Sequence, residues 1–534
     1  MIYSNMALSG MVVTPHHLAS ETALSILKEG GNAIEAIVAA AATIAVVYPH
    51  MNGLGGDGFW LIVPPNGRNP IAIDASGAAG SLANFDFYKN ELVIPHRGSK
   101  AALTVAGTLS GWQEALCISE ELKVDGKPSS MSLKRLLEDA IMYAMNGVPV
   151  SQSQYEATKT KIAELKDQPG FASTFLTKGK IPALGSIFVQ KELAKTLKQL
   201  AEEGIETFYR GNFANYLARQ MSLIKIPITI QDLQKHKAYR YKPLHITHSL
   251  GDIWNTTQPT QGMASLLILG IIDQLDMANA DKVQTIHRIV EATKQSFLLR
   301  NKYITDSQYI STNLQDLLNK ENFIRLANQI NDKKALTLKN LGYGPSDTVW
   351  MGAIDKNGLA VSFIQSIYYE FGSGVVIPNT GIVWHNRGVA FSLNPKHILS
   401  LSPGKKPFNT LNPAAARLTD NRIMVYGSMG GDGQPQIQAA IFTRYAIQKI
   451  PLQKSITMPR WIFGRTWGES SDSLKLEKRF ELEIIKKLYC IGHKVEILPE
   501  FSEEVGHAGA IVRHGNGMIE GASDPRCNGS ANGF

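Results

Sequence analysis

Thr348 lies where a polar loop meets an apolar run, in the segment GPSDTVWMGAID (344–355). Gly344, Pro345, Ser346 and Asp347 read as loop, and Val349 to Ile354 as a buried strand. Taken alone, a threonine opening a strand is only a good strand former. Two neighbouring patterns give its hydroxyl chemical meaning. The first is DKNG (355–358), a turn between two apolar strands. A two-residue Asn357-Gly358 turn sets Thr348 opposite Ile367. A three-residue loop with left-handed Gly358 and a bulge sets it opposite Ser366. Opposed residues share a face, so the second register brings two hydroxyls together at the open end of the hairpin. The second pattern is YGSMGGDGQPQ (426–436), a strand that runs into Gly430-Gly431. Consecutive glycines leave backbone N–H groups uncovered, which is how a developing oxyanion can be held. A hydroxyl nucleophile with an oxyanion cradle is acyl-transfer chemistry.

Other motifs carry less. GLGGDG (53–58) matches the dinucleotide pattern, but a helix precedes it and a strand follows, the reverse of a phosphate loop. It reads as a tight turn with close backbone approach. Cys117, Cys490 and Cys527 are too few and too far apart for a disulfide framework or a zinc knuckle. His16-His17, His50 and His507 show no metal-ligand spacing. No metal or organic cofactor is expected.

The elements that must position Thr348 follow from periodicity. LASETALSILKEGG (18–31) has helical spacing and a glycine stop. Asn32 then caps a second helix, alanine-rich and apolar nearly all round, with Glu35 completing a capping box. FWLIV (59–63) reads as a strand, and 130–245 and 262–332 as mainly helical. From Thr348 onward, short apolar runs alternate with turns: 349–354, 359–368, 374–384 and 423–427 read as sheet. A last helix is expected over 475–489, then strands at KVEIL and AGAIVR. The pattern predicts one α+β layered domain with a helical central section. Composition supports a large core, with 44% hydrophobic and 19% charged residues in 534. The net charge of +8 is scattered without runs or aromatic interleaving, so nucleic acid is not an expected partner. The apolar stretch Ala33–Val47 is too short to span a bilayer, and the first residues do not resemble a signal peptide. A cytoplasmic protein without a membrane partner is expected.

Together these segments resemble the gamma-glutamyltransferase family of N-terminal-nucleophile hydrolases, nearly end to end. GMVVTPHHLASETALSILKEGGNAIEAIVAAAATIAVVYPHMNGLGGDGFW (10–60) looks like the family's opening. DTVWMGAIDKNGLAVSFIQS, FGSGVVIPNTGI, PGKKPFNTLNP, GSMGGD and GASDPR follow in family order. The resemblance implies a four-layer αββα sandwich, made as a precursor that cuts itself between Asp347 and Thr348. The products would be a large chain (1–347) and a small chain (348–534), interwoven and each other's partners. Cutting would turn Thr348 into an N-terminus whose amine can serve its own hydroxyl as base. An N-terminal amine has a reference pKa of about 7.7–8, so a useful fraction is neutral at pH 7. The family's second hydroxyl falls on Ser366, favouring the bulged register, and its oxyanion glycines on Gly430 and Gly431.

The sequence departs from the family where the glutamyl group is held. No arginine occurs in DASGAAGSLANFDFY (74–88), the acidic clamp position is Ala390, and Arg387 replaces a neutral polar residue. A paired serine motif becomes Asn409-Thr410. The altered segments look more like the oxamate-amidohydrolase and glutathione-hydrolase-like branch. Arg387, Asn409, Thr410 and Tyr368 are the expected substrate-binding residues, with Arg387 on a substrate carboxylate. Amide cleavage through an acyl-enzyme on Thr348 is the expected reaction, on γ-glutamyl compounds or glutathione by family default. The alternatives are a small carboxylate-bearing amide such as oxamate, or an inactive family member with a binding role. An oligomer of the processed pair stays open.

Overall fold

The computed structural model describes residues 2–122, 131–337, 347–464 and 472–534. Gly344, Pro345 and Ser346 of the expected cleavage segment lie outside the described residues, as does the side chain of Asp347.

Two seven-stranded antiparallel sheets form the centre. One runs in the order Ser530–Gly533, Gly10–Thr14, Asp347–Asp355, Ala360–Tyr368, Asp57–Val63, Ile71–Ala75, Tyr239–Tyr241. The other runs Asn5–Ala7, Ile519–Ser523, Ala508–Arg513, Ile423–Ser428, Ala414–Leu418, Gly251–Asn255, Leu244–His248. Both sheets mix strands from before and after residue 348.

The layering follows from side-chain alternation along each strand. Met11, Val13, Trp350, Ile354 and Ile364 of the first sheet meet Trp254, Ala415, Val425 and Ile511 of the second in a core between the sheets. Their neighbours Val12, Val349, Met351, Ala353 and Phe363 point the other way, into a helical layer that includes Ala33–Val47. On the far side, Ala414, Ala416, Met424, Ala510 and Val512 pack under the helices Gly262–Ile272, Lys282–Tyr303 and Gln434–Phe442. The order is helix, sheet, sheet, helix, as expected of an αββα sandwich. Burial on both sides is why these strands read as continuous apolar runs.

The local signals hold at the N-terminal side. Asn32 Oδ1 accepts the Ile34 and Glu35 N–H groups at 2.9 and 3.1 Å, and Glu35 Oε2 accepts the Asn32 N–H at 2.8 Å. The helix they open is buried along its whole length. In GLGGDG, a Cβ on Gly55 or Gly56 would collide with the Val383 or Ser366 carbonyl oxygen, so close approach accounts for those glycines.

Two expectations fail. Residues 374–384 are not a strand but a loop with isolated bridges, Val376 to Val383 and Trp384 to Gly55. The segment expected as a helix over 475–489 splits into a strand, Leu474–Glu477, and a shorter helix, Leu482–Cys490. Leu474–Glu477 pairs with both Trp461–Phe463 and Val495–Leu498, and that tertiary pairing overrides its helical spacing.

Candidate active site

The hairpin Asp347–Tyr368 takes the bulged register. Val349 pairs with Gln365 and Ile354 with Ala360, so Thr348 lies level with Ser366. The turn residue Gly358 has φ +85°, and Asp355 Oδ1 accepts the Asn357 and Leu359 N–H groups at 2.9 and 3.1 Å. At the open end Asp347 pairs with Tyr368, so the second strand carries one extra residue there. Thr348 is fully buried and Ser366 nearly so. Ser366 Oγ accepts the Tyr368 N–H at 2.8 Å. Tyr368 itself sits at φ +81°, a conformation that costs energy in a bulky residue and recurs at functional sites.

Arg387 comes from a single turn of 3₁₀ helix, Arg387–Ala390, and is 1% exposed. Its guanidinium lies 3.7 Å above the Tyr368 ring and Nη2 donates to Thr410 Oγ1 at 3.2 Å. Nη1 is buried with no hydrogen-bond partner, and no carboxylate forms an ion pair with Arg387 among the described residues. Burial lowers its affinity for the proton, while Tyr368 and Asp57 act against that shift. The surface or structural ion pair that would have given Arg387 an ordinary role is therefore absent among the described residues.

The glycines end the Ile423–Ser428 strand. Gly430 and Gly431 have φ +117° and +51°, backbone that glycine adopts readily. A single turn then leads into the helix Gln434–Phe442, whose N-terminus adds a favourable field for negative charge. The turn is braced from the first part of the chain. Gln261 Nε2 donates to the Gly431 and Thr410 carbonyl oxygens at 2.7 and 2.8 Å. Arg300 Nη1 pairs with Asp432 Oδ1 at 2.6 Å and donates to Gln261 Oε1 at 3.0 Å, all in the interior.

Asp57 is the residue the sequence reading missed. Its strand places it beside Ser366, on the side away from Thr348. Its Oδ1 accepts the Gly77 N–H at 3.0 Å and its Oδ2 the Asn409 amide at 3.3 Å. His385 Nδ1 stands 3.6 Å from Oδ2. Burial pushes its carboxyl up to about 7, with the Gly77 bond and the Arg387 charge pulling the other way. Burial likewise holds His385 down at about 4, so it is neutral. The available signal was the acidic residue inside a glycine turn, GLGGDG. Asn409 and Thr410 thus link Asp57 to Arg387 through one pair of adjacent residues. Tyr368, Arg387, Thr410 and Asn409 lie together near the hairpin end, joined by the Arg387–Tyr368 stacking, the Arg387–Thr410 bond and the Asn409–Asp57 bond.

Two packed antiparallel sheets between helical layers, with a buried hydroxyl residue near the start of a central strand, are the architecture of N-terminal-nucleophile hydrolases. The chain belongs to the gamma-glutamyltranspeptidase family, whose sequence pattern matches residues 19–534. It is 61% identical over 531 residues to an oxamate amidohydrolase proenzyme of Klebsiella pneumoniae, covering 99% of both chains. It is 39% identical to a glutathione hydrolase-like proenzyme of Bacillus subtilis, covering 98% of both. A cephalosporin acylase from Bacillus halodurans superposes with a TM-score of 0.89 at 30% identity, over 99% of this chain and 97% of that one. The chain is thus a hydrolase of this family. No described helix is long and apolar enough to cross a membrane.

Proposed function

We propose that the chain is a self-processing threonine amidohydrolase acting on a small amide that bears a carboxylate next to the scissile bond, with oxamate as the model substrate. The observation that carries this reading is the buried Arg387 guanidinium, with Nη1 lacking a hydrogen-bond partner and no ion pair to a carboxylate among the described residues. A buried guanidinium with no ion-pair partner and one unsatisfied nitrogen is costly, and a substrate carboxylate reduces that cost. The 61% identity to an oxamate amidohydrolase proenzyme supports it independently.

The chemistry runs in two stages. In the precursor, the Thr348 hydroxyl attacks the Asp347 carbonyl carbon, the peptide nitrogen leaves as the Thr348 amine, and water hydrolyses the resulting ester. In turnover, that amine takes the hydroxyl proton as Oγ attacks the substrate amide. The oxyanion is held by the Gly430 and Gly431 N–H groups. Ammonia leaves with a proton returned from the amine, and water releases the acyl group, oxalate in the case of oxamate. Ser366 supports the nucleophile's hydroxyl from the facing strand. Arg387 grips the carboxylate, with Thr410 fixing one of its nitrogens. Asp57, poised to be half protonated near neutrality, can exchange a hydrogen bond with the amide end.

Ammonia release from oxamate and anilide release from a γ-glutamyl anilide test this. Wild type is expected to favour oxamate in kcat/KM. Arg387→Ala should lose about 30-fold or more on oxamate, in line with roughly 2–5 kcal/mol for truncating one side of a buried charge pair. Equal rates for Arg387→Ala and wild type on every carboxylate-bearing substrate would sink the proposal.

A further inference from the structure

We propose that His287, Glu291 and His493 form a binding site for a divalent transition metal of the zinc class, fastening the chain before residue 348 to the chain after it. His287 and Glu291 lie one turn apart on the Lys282–Tyr303 helix, so their side chains leave the same face. His493 follows the Leu482–Cys490 helix and meets them from the C-terminal part of the chain. One ligand atom of each lies within 4.8 Å of the others, and all three residues are buried.

The hydrogen bonds orient the donors. His287 Nε2 lies 3.0 Å from the Asn331 carbonyl oxygen. A carbonyl only accepts, so Nε2 carries the proton and Nδ1 keeps its lone pair. That Nδ1 accepts from His493 Nε2–H, 2.8 Å away, so His493 must carry its proton on Nδ1 instead when Nε2 takes the metal. An imidazole anchored on a backbone carbonyl through one nitrogen, with the lone pair of the other turned to the ion, is how metal-binding histidines are held. Two imidazole nitrogens and one carboxylate oxygen suit zinc rather than magnesium or calcium, which take oxygen sets. Tetrahedral binding at about 2.0–2.1 Å sets two nitrogens about 3.3 Å apart. The histidine pair therefore has to open by only about 0.5 Å to admit the ion.

Lys294 works against the metal. Its Nζ donates to Glu291 Oε1 and to the Leu336 carbonyl oxygen, both at 2.7 Å. A cation and the ammonium compete for one carboxylate oxygen. When Oε1 turns to the metal, Lys294 keeps Leu336, and Glu291 Oε2 keeps the Leu336 N–H at 2.9 Å. This competition sets the affinity and supplies a specific handle on it. The same group holds the chain at Asn331 and Leu336, while Ala335 N donates to the Ile491 carbonyl oxygen at 2.7 Å. A metal here joins the end of the upstream part to His493 of the downstream part.

The test is Co²⁺ titration of tag-free, EDTA-dialysed full-length protein, followed by visible absorption and metal analysis. Wild type should take up one equivalent with the intense band of a tetrahedral site, and one equivalent of Zn²⁺ should bleach it. His493→Ala should lose the band, while its metal-free melting curve and gel pattern report that it still folds. If His493→Ala does not fold, His493→Gln takes its place. Lys294→Met should bind Co²⁺ tighter by about tenfold or more, the scale of effects seen from groups next to metal ligands. No band in wild type, or an undiminished band in the His493 variant, overturns the proposal and leaves a hydrogen-bonded histidine pair.

Discussion

Thr348 lies level with Ser366 because the hairpin turn holds Gly358 at φ +85°. A turn one residue shorter would set Thr348 against Ile367 and turn the second hydroxyl to the other face. The pairing of the two hydroxyls is thus set ten residues away from Thr348. Replacing Gly358 by valine forces a β-branched side chain into the left-handed region, at about 1–2 kcal/mol. Urea melts should show that loss, and timed denaturing gels should show slower appearance of two chains. Gly358→Asn should be tolerated. A valine variant as stable and as quickly processed as wild type would contradict this account of the register.

Processing itself is read on the same gels. Wild type should resolve into fragments of roughly two-thirds and one-third of the chain, because the nucleophile must become an N-terminus. Thr348→Ala should stay as one full-length band. Two bands from the alanine variant would remove Thr348 from the cleavage step.

The Arg300–Asp432 pair, at 2.6 Å and fully buried, braces the glycine turn from the other part of the chain. Breaking it with Arg300→Met takes the buried Asp432 carboxylate's ion-pair partner away, at a cost of about 3 kcal/mol. The melting temperature should fall, and kcat should fall more than KM rises, because the oxyanion donors shift. Replacing both residues by apolar ones should restore part of the stability and little of kcat. Full recovery of kcat in the double variant would show that the pair does not position the glycines.

Asp57 gives a pH signature. Its folded-state carboxyl is raised to about 7 by burial, above the ordinary value near 3.8. Between those two values the folded chain binds more protons than the unfolded one. Its contribution therefore falls as pH rises from about 4 to about 7, by about 4 kcal/mol in full. Asp57→Asn removes this penalty. Relative to wild type the variant should gain stability between pH 5 and pH 8, in denaturant titrations at the two values. It should also lose the ionisation near 7 from the kcat/KM profile on oxamate. A stability difference independent of pH would mean that Asp57 ionises at its ordinary value.

Much of the frame is legible in local sequence. The Asn32 and Glu35 capping box, the all-apolar helix it opens, the two central strands and the hydroxyl at the start of one are each written within a few residues, because caps, turns and alternation are short-range physics. The turn chemistry at Asp355–Gly358 narrows the register to two, and resemblance chooses between them. Where local spacing misled, at 374–384 and 475–489, long-range contacts decided: the first segment makes only isolated bridges, and Leu474–Glu477 found partner strands on both sides. The surroundings of the site belong to the tertiary structure. Asp57 lies 352 positions from Asn409, and only packing brings its carboxylate to the Asn409 amide and the neighbourhood of Arg387. Arg300 reaches Asp432, and His287 reaches His493, only because the sheets interleave strands from both sides of Thr348. The nucleophile is a property of the local sequence. What it is set to attack depends on charges that only packing brings within range, since burial and distance govern electrostatics and neither is written in the order of residues.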